Sequence, residues 1–501
     1  MKRKLMSMVL AAALFVTALG ACIPAYADEK PIEIVWQYPA WGSVFEGFYD
    51  VEDALNEMME RDIGIHVTFE PTGLQESQND AILKVSSGEQ LDICLTAFTS
   101  PGTLVDRGVI IPLDDVLTED DIASFALHNA NPATMGTYDG HIYQIPCGDK
   151  TYAVQSYIMK KPYAEKYDCM PDENKIYTLE EMDAIFDKIH EGEGDQLRVH
   201  VPWNNTYEPL NYGLCEYDKF GGDMSYGVLM LNNGFDNTTV VDLFETPEYK
   251  YCCEMLYKWA QKGYISADAA VTTDAPGEIV KRENYCGWFS WGAPTSDMVD
   301  CSWEEGWVQF KIIDGYVPST VSSIGWNVTV NCENPEAAIK ALRYIYENPE
   351  ACTLIQYGIE DRHWHVVAEE NGLKVIDYTD ENRAAYDYVN PYGLWGDRLS
   401  LPVTGNRPAD TYLRMQEYQR EVEASGRVTP SAGYVFNPSK VSADIAAVQT
   451  VIAQYAPSLN AGAMDPDKAL PEFISALKAA GMDNIVAENQ RQFDEWLAAN
   501  K

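Results

Sequence analysis

Apolar and polar positions along the chain alternate between short apolar runs and amphipathic stretches. Ile32–Trp36 reads as a strand, and Pro39–Ser43 as a loop rich in aromatic and small residues. Val51–Arg61 carries Val51, Leu55, Met58 and Met59 on one face, the spacing of an amphipathic helix. Ile63-Gly64 ends it, and Ile65–Phe69 is the next strand. Ala81–Val85 sits in a second helix ending near Ser87-Gly88, and Leu91–Thr96 is a third strand. Strand, helix, strand, helix, strand at this spacing predicts a parallel sheet with covering helices. Such sheets bind ligands beyond the carboxyl ends of their strands, here Gln37–Trp41, Glu70–Gly73 and Ala97–Pro101.

The stretch Asp139–Lys150 separates this unit from the next. Asp139-Gly140 is a turn signal, His141–Pro146 alternates as a short strand does, and Pro146 and Gly148 end it. A new apolar run, Tyr152–Met159, comes next with no helical pattern between. A chain that leaves one strand system for another through a few irregular residues is crossing between lobes; the competing reading is a hairpin within one sheet. Beyond it, Thr178–His190 reads as a helix with a Thr178/Glu181 capping box. Leu197–Val201, Tyr285–Ala293 and Ser322–Val330 read as strands, and Pro247–Lys262 and Glu336–Glu347 as helices, the latter opened by Asn334-Pro335. Thr411–Ala424, Ser442–Gln454, Pro471–Ala480 and Asp483–Asn500 make the tail nearly all-helical.

Composition adds an address. Lys2, Arg3 and Lys4 precede the apolar run Leu5–Leu19 and a small-residue region, the pattern of a secretory signal peptide over residues 1–27. Two cleavage sites compete: Ala25-Tyr26-Ala27 before Asp28, and Leu19-Gly20-Ala21-Cys22, which resembles a lipobox that would anchor Cys22 to lipid. Release at Ala27 is preferred, because the first strand starts too soon after Cys22 to leave a polar tether. The net charge of −41 makes nucleic acid and anionic lipid poor partners and favours a neutral or cationic ligand. The ten cysteines beyond Cys22 form no C-x-x-C pair and lie singly in apolar runs, so free buried thiols are expected.

No G-x-S-x-G, P-loop, H-E-x-x-H or G-x-G-x-x-G motif occurs. His363-x-His365 with Glu360 or Asp361 is the one metal-like spacing, and such isolated pairs are usually structural. With 77 carboxylates, acidic pairs such as Asp114-Asp115 arise by chance and do not argue for a glycosidase. The reading calls for no cofactor and no metal.

Several patterns in order, Ile32–Trp36, Leu83–Ile93, Gly108–Leu117 (GVIIPLDDVL), Asp139–Pro146, Tyr177–Phe186 and Asn334–Tyr346, resemble the extracellular solute-binding proteins of bacterial ABC importers that take up sugars. Tyr357–Trp364 (YGIEDRHW) and the helical tail resemble a Firmicutes branch with an added C-terminal domain of uncharacterised role; that branch has Gly where this chain has Asp361. The resemblance implies an α/β fold of two lobes joined by a hinge, of the periplasmic-binding-protein type, plus a helical C-terminal region; hinge closure in that class is a stock example of domain motion. By analogy, lobe 1 holds residues 28–148 and 320–395, and lobe 2 holds 149–319 and 396–501, with the tail from about 411.

The expected function is capture of a neutral carbohydrate, an oligosaccharide by preference, outside the cell by a monomer that delivers it to the transmembrane subunits of an ABC permease. Sugar sites pair planar aromatics with fixed polar groups, and the chain has 12 Trp and 31 Tyr. Burying a ring face of roughly 50 Å² gives about 1 kcal/mol, whereas micromolar binding needs about 8 kcal/mol, so both lobes must contribute. The candidates are Tyr38, Trp41 and Phe98 at the strand exits of lobe 1. Trp203 and Tyr207 come after a strand end in lobe 2, and Trp288 and Trp291 lie in YCGWFSWGA, with Trp291 preferred where the run opens into a loop. Trp395 lies between Gly393 and Gly396, an exposed setting; Arg362 and Trp364 belong to YGIEDRHW. Lys150 enters by the resemblance, which places a ligand-contacting polar residue just past the crossover. The rivals are a secreted carbohydrate-active enzyme, a binding protein for a peptide or other small solute, and an adhesin or sensor.

Overall fold

The computed structural model describes residues 30–499 apart from 41–43, 45, 46, 98–100, 149–151, 203–216, 219, 221–225, 273–275, 283, 300–305, 319–323 and 380–393. The chain opens with β1 (Ile32–Ala40), α1 (Phe48–Ile63), β2 (Ile65–Gly73), α2 (Ser77–Ser87) and β3 (Ile93–Ala97). α1 is set by its apolar stripe, with Val51, Leu55 and Met59 buried, and it ends at Gly64, whose φ of 70° is the left-handed C-cap that favours glycine. β1 lies parallel to β2 over nine pairs, from Ile32 opposite Ile65 to Ala40 opposite Gly73. The chain then runs through α3 (Glu119–Leu127) to a hairpin turned at Asp139-Gly140, both at positive φ, and on to the two-residue strand β4 (Ile145–Pro146). The run His141–Pro146, expected as one strand, is therefore split: His141–Ile142 closes the hairpin and only Ile145–Pro146 joins the main sheet.

A second sheet starts at β5 (Ala153–Lys160). After α4 (Leu179–Glu193), which keeps the Thr178/Glu181 capping box, come β6 (Arg198–His200) and a small three-stranded sheet of β7 (Tyr217–Asp218), β8 (Val228–Leu231) and β9 (Val241–Asp242). α5 (Pro247–Gln261), α6 (Pro276–Arg282), β10 (Tyr285–Trp291) and β11 (Trp307–Tyr316) complete the unit. The strand order is β11-β5-β10-β6, with β5 antiparallel to both neighbours and β6 parallel to β10. Phe186 of α4 packs on Tyr157 and Trp259 of α5 on Phe289, both partners being sheet residues, with ring centroids 4.8 and 6.1 Å apart.

β12 (Ile324–Val328) returns to the first sheet, between β3 and β4 and antiparallel to both, giving the order β2-β1-β3-β12-β4. The purely parallel sheet expected from the first ninety residues thus carries a returning antiparallel pair. α7 (Pro335–Glu347) buries Ala338, Leu342 and Ile345 in the same core, and α8 (Pro349–Tyr357) comes directly after it. A hairpin of β13 (Trp364–Glu370) and β14 (Leu373–Tyr378), extended by β15 (Val403–Thr404), precedes α9 (Thr411–Ala424).

The tail is α10 (Ser442–Asn460), α11 (Pro466–Ala480) and α12 (Met482–Ala499). α11 starts five residues before the position expected from Pro471, because Asp465 caps it and Pro466 takes its first position; Pro471 then lies inside the helix. These helices share one hydrophobic core with the small sheet: Phe473 packs on Phe244 at 4.8 Å and Phe493 on Phe220 at 5.1 Å.

Two sheets joined this way are two lobes, and the joint is well defined. Gly148 donates its N–H to the Gly396 carbonyl at 3.1 Å, and Arg398 N–H donates to the Gly148 carbonyl at 2.8 Å. Asp397, opposite Gly148, pairs with His128 at 3.2 Å. At the other crossover, Val317 pairs with the segment that leads to the tail, donating to the Arg427 carbonyl at 2.8 Å and accepting from Thr429 N–H at 3.0 Å. α9 grips both lobes: Gln419 donates to Asn129 of lobe 1 at 3.0 Å, while Arg414 pairs with Asp297 of lobe 2 at 2.7 Å.

Space, not dihedral angle, demands glycine at 148, since a Cβ there would meet the Gly396 and His128 carbonyl oxygens at 2.5 Å. Gly148→Ala should therefore lower unfolding stability by about 1–3 kcal/mol. Gly277→Ala, on a helix where the added Cβ meets only Trp288 at 3.5 Å, should leave it unchanged or raise it. Urea denaturation of both variants checks this.

Candidate functional site

The strand ends of both sheets converge on the crossovers. β1, β2 and β3 end at Ala40, Gly73 and Ala97, and β12 begins opposite Ala97 at Ile324. In lobe 2, β10 ends at Trp291 opposite Gln155, near the start of β5, and β11 ends at Tyr316 opposite Ala153.

A buried polar network holds the first set of ends. Gln37 accepts from Leu95 N–H at 3.0 Å and donates to the Ser77 carbonyl and to Asp80, each at 3.0 Å. Asn327 donates to Thr96 Oγ1 at 2.8 Å and to the Cys94 carbonyl at 3.3 Å. Lys84 bridges Glu70 and Asp80; burial works against its ammonium, but the two carboxylates outweigh it and raise its pKa. Gln37, Asp80, Lys84 and Glu70 pair with one another, so they fix backbone and leave recognition to what projects beyond.

What projects differs from the sequence reading at several positions. Tyr38 is only 2% exposed and Trp395 1%. Trp395 stacks between Trp326 at 4.7 Å and Tyr38 at 5.4 Å, with Trp36 on its edge. The expectation that flanking glycines expose Trp395 is corrected: Gly396 takes φ 58° and packs against Ile345 and Cys352, folding the indole inward. Tyr38 is corrected likewise; its ring is a layer of the lobe 1 core, and burial raises its phenol pKa far above the usual range. Trp288 is 7% exposed, edge-on to Trp307 at 5.1 Å. Trp364 is buried and donates Nε1–H to the Gly358 carbonyl at 2.8 Å. None of these four rings offers a face to a ligand in this conformation.

Arg362 stands half-exposed and pairs with Asp50 at 2.7 Å, tying its loop to the start of α1. Asp361 takes φ 65°, the left-handed conformation that glycine adopts most easily. His363 is buried, with Nδ1 accepting from Ile359 N–H at 2.9 Å, while His365 is exposed; the two do not share a face. Among the described residues no group of three His, Cys, Asp or Glu is placed to hold a metal. Trp41, Phe98, Lys150, Trp203, Tyr207 and Cys22 lie outside the described residues.

Among the described tryptophans Trp291 is the exception, 38% exposed at the end of a strand that is otherwise buried up to Phe289. Around its base lie groups that sequence reasoning passed over: Gln155, which donates to Tyr316 Oη at 3.1 Å, Ser156, and Gln309 of β11. The available signal was a set of polar residues within apolar strand runs. Close by, His200 is enclosed by Tyr157, Trp259 and Phe289, and burial pushes its pKa down to about 3. It stays neutral, a core ring rather than an acid or base.

A model for a domain of unknown function (DUF3502) matches residues 430–498, the span of the three tail helices. A carbohydrate ABC transporter substrate-binding protein of Streptococcus pneumoniae is 24% identical over 494 residues, 95% of this chain and 93% of that protein. The crystal structure of an N-glycan transport solute-binding protein from the same organism superposes with a TM-score of 0.76 at 20% identity, covering 94% of this chain and all of the other. An HMO-binding, ABC-transporter-associated solute-binding protein of Bifidobacterium longum infantis superposes at a TM-score of 0.61 and 16% identity, over 94% of this chain and all of the other. The fold is that of the two-lobed solute-binding proteins.

The two tryptophans preferred from sequence should now separate by stability. Trp395→Ala should cost about 3–5 kcal/mol as a core truncation, and Trp291→Ala less than about 1 kcal/mol, both read by chemical denaturation.

Proposed function

We propose that this protein is the extracytoplasmic binding component of an ABC importer, capturing a neutral oligosaccharide between its lobes and delivering it to a transmembrane permease. The observation that carries the reading is the likeness across nearly the whole chain to sugar-transport binding proteins, tail helices included. Solved structures of the N-glycan transport protein hold Man1GlcNAc and Man5GlcNAc, so oligosaccharides of that size lie within the reach of this fold. The strongly acidic composition agrees with an uncharged ligand.

Residues 28–148 and 320–395 form lobe 1 in this reading, with 149–319 and 396–501 as lobe 2, and the leader 1–27 directs export. Trp291 supplies a platform of lobe 2, and Trp203 and Tyr207 are the further ligand contacts proposed for that lobe. Trp41 and Phe98 are the contacts proposed for lobe 1, and Lys150 is a further one just past the crossover. In this reading the permease provides the channel. Closure lets it tell loaded from empty protein, because a ligand shifts only an equilibrium whose two states it binds unequally.

Titration calorimetry against a panel of neutral oligosaccharides, with mass analysis of the recovered sugar, tests this. One ligand class should bind one to one at about micromolar affinity, about 8 kcal/mol, and be recovered intact. Turnover of the sugar, or no heat across the panel, would overturn the proposal.

A further inference from the structure

Trp291 combines two properties that usually oppose each other: an exposed ring and an immobile backbone. The turn behind it is fixed from three sides. Trp291 itself pairs with Gln155 in the β5 ladder. Gly292 donates its N–H to the Val154 carbonyl at 2.7 Å. Ala293 is held at both backbone groups by one side chain, its N–H donating to Gln309 Oε1 at 2.9 Å and its carbonyl accepting from Gln309 Nε2 at 2.6 Å. The chain leaving β10 turns over β5, where a Cβ on Gly292 would meet Ser156, and so comes within reach of Gln309 on β11. Its own backbone N–H donates to Ser296 Oγ at 3.0 Å, so the loop returning over the sheet is pinned at the same residue.

The fit at Gly292 is close. A Cβ on Gly292 would overlap Ser156 Oγ and come within 2.7 Å of Gln309 Oε1. Gly292 is not at positive φ, so its requirement is close approach alone. Satisfying the buried Ala293 amide would need only one acceptor and one donor from anywhere; it would not need glycine before it. The clamp instead fixes the direction in which the chain leaves β10, and with it the Cα–Cβ vector of Trp291. A ring left 38% exposed is not enclosed by core packing, and a binding platform gains from a fixed backbone, because ordering a contact residue beforehand removes that cost from association.

We infer that Gln309 and Gly292 are positioning residues for Trp291, holding its indole as a prearranged platform for a planar sugar face. The inference rests on the function proposed above. Gln309 never touches the ligand; it acts through the turn.

The full mature chain, labelled with 5-fluorotryptophan, tests it by fluorine NMR, the Trp291 signal being identified by its loss in Trp291→Phe. Gln309→Leu keeps the bulk but leaves both Ala293 groups unpaired. Gln309→Glu keeps an acceptor for Ala293 N–H and loses the donor. In Gln309→Leu the Trp291 signal should narrow and shift while the signals of the buried tryptophans hold their positions; in Gln309→Glu it should move part of the way. For the best-bound neutral oligosaccharide, Trp291→Ala and Gln309→Leu should each weaken binding about tenfold, and the double variant no further. An unmoved Trp291 signal, or effects of Trp291→Ala and Gln309→Leu that multiply, would overturn the inference, as would a general displacement of all tryptophan signals. If the parent protein binds no oligosaccharide, the proposed function fails, and the fluorine spectra alone decide whether Gln309 positions the ring.

Discussion

Everything in this architecture depends on the narrow passage at Gly148. There the chain leaves the first sheet between the His128 carbonyl and the Gly396-Asp397 backbone, too tightly for any side chain. Two hydrogen bonds and a His128–Asp397 pair hold it without merging the sheets. A few backbone bonds at a crossover permit rotation in a way that a continuous sheet does not. The second crossover, at Val317, is bonded to residues 427–429, and α9 touches both lobes. α9 and the segment 427–429 are therefore part of the joint, and that segment leads directly into the domain matched over residues 430–498.

The aromatic residues divide between two tasks. In lobe 1, Trp36, Tyr38, Trp326 and Trp395 pack face and edge within one core, each ring burying on the order of 150–250 Å². That stack stiffens the floor from which the strand-end loops spring. In lobe 2, Trp288 serves the core and Trp291, three residues on, stands at the rim. Rigid floors and a fixed rim residue are what a closing site requires, since a contact that must be ordered at the moment of binding weakens it.

Much of the fold is legible in the sequence because its signals are local. The α1 stripe, the Thr178/Glu181 box and the Asn334-Pro335 start each act within one or two turns, and the crossover near Asp139–Lys150 shows as two apolar runs with no helix between. The small sheet of residues 217–242 and the 364–378 hairpin leave no such mark. Their strands are short and become stable only through partners far along the chain, as when Phe244 meets Phe473. The site is less legible for the same reason. Glycines beside Trp395 read as exposure, yet Gly396 provides a close approach to Ile345 and Cys352 that no local pattern reveals. Gln309 reads as an ordinary polar interruption in a strand; its role depends on Ala293, which lies sixteen residues earlier in the loop after β10.

If the two lobes pivot at these crossovers to enclose a carbohydrate, binding must compact the molecule. Small-angle X-ray scattering of the mature protein, recorded across a titration with a bound neutral oligosaccharide, reads that change. Hinge closure predicts a saturable fall in the radius of gyration that tracks ligand occupancy and is absent with non-binding sugars. A scattering profile that stays the same at full occupancy would rule the pivot out.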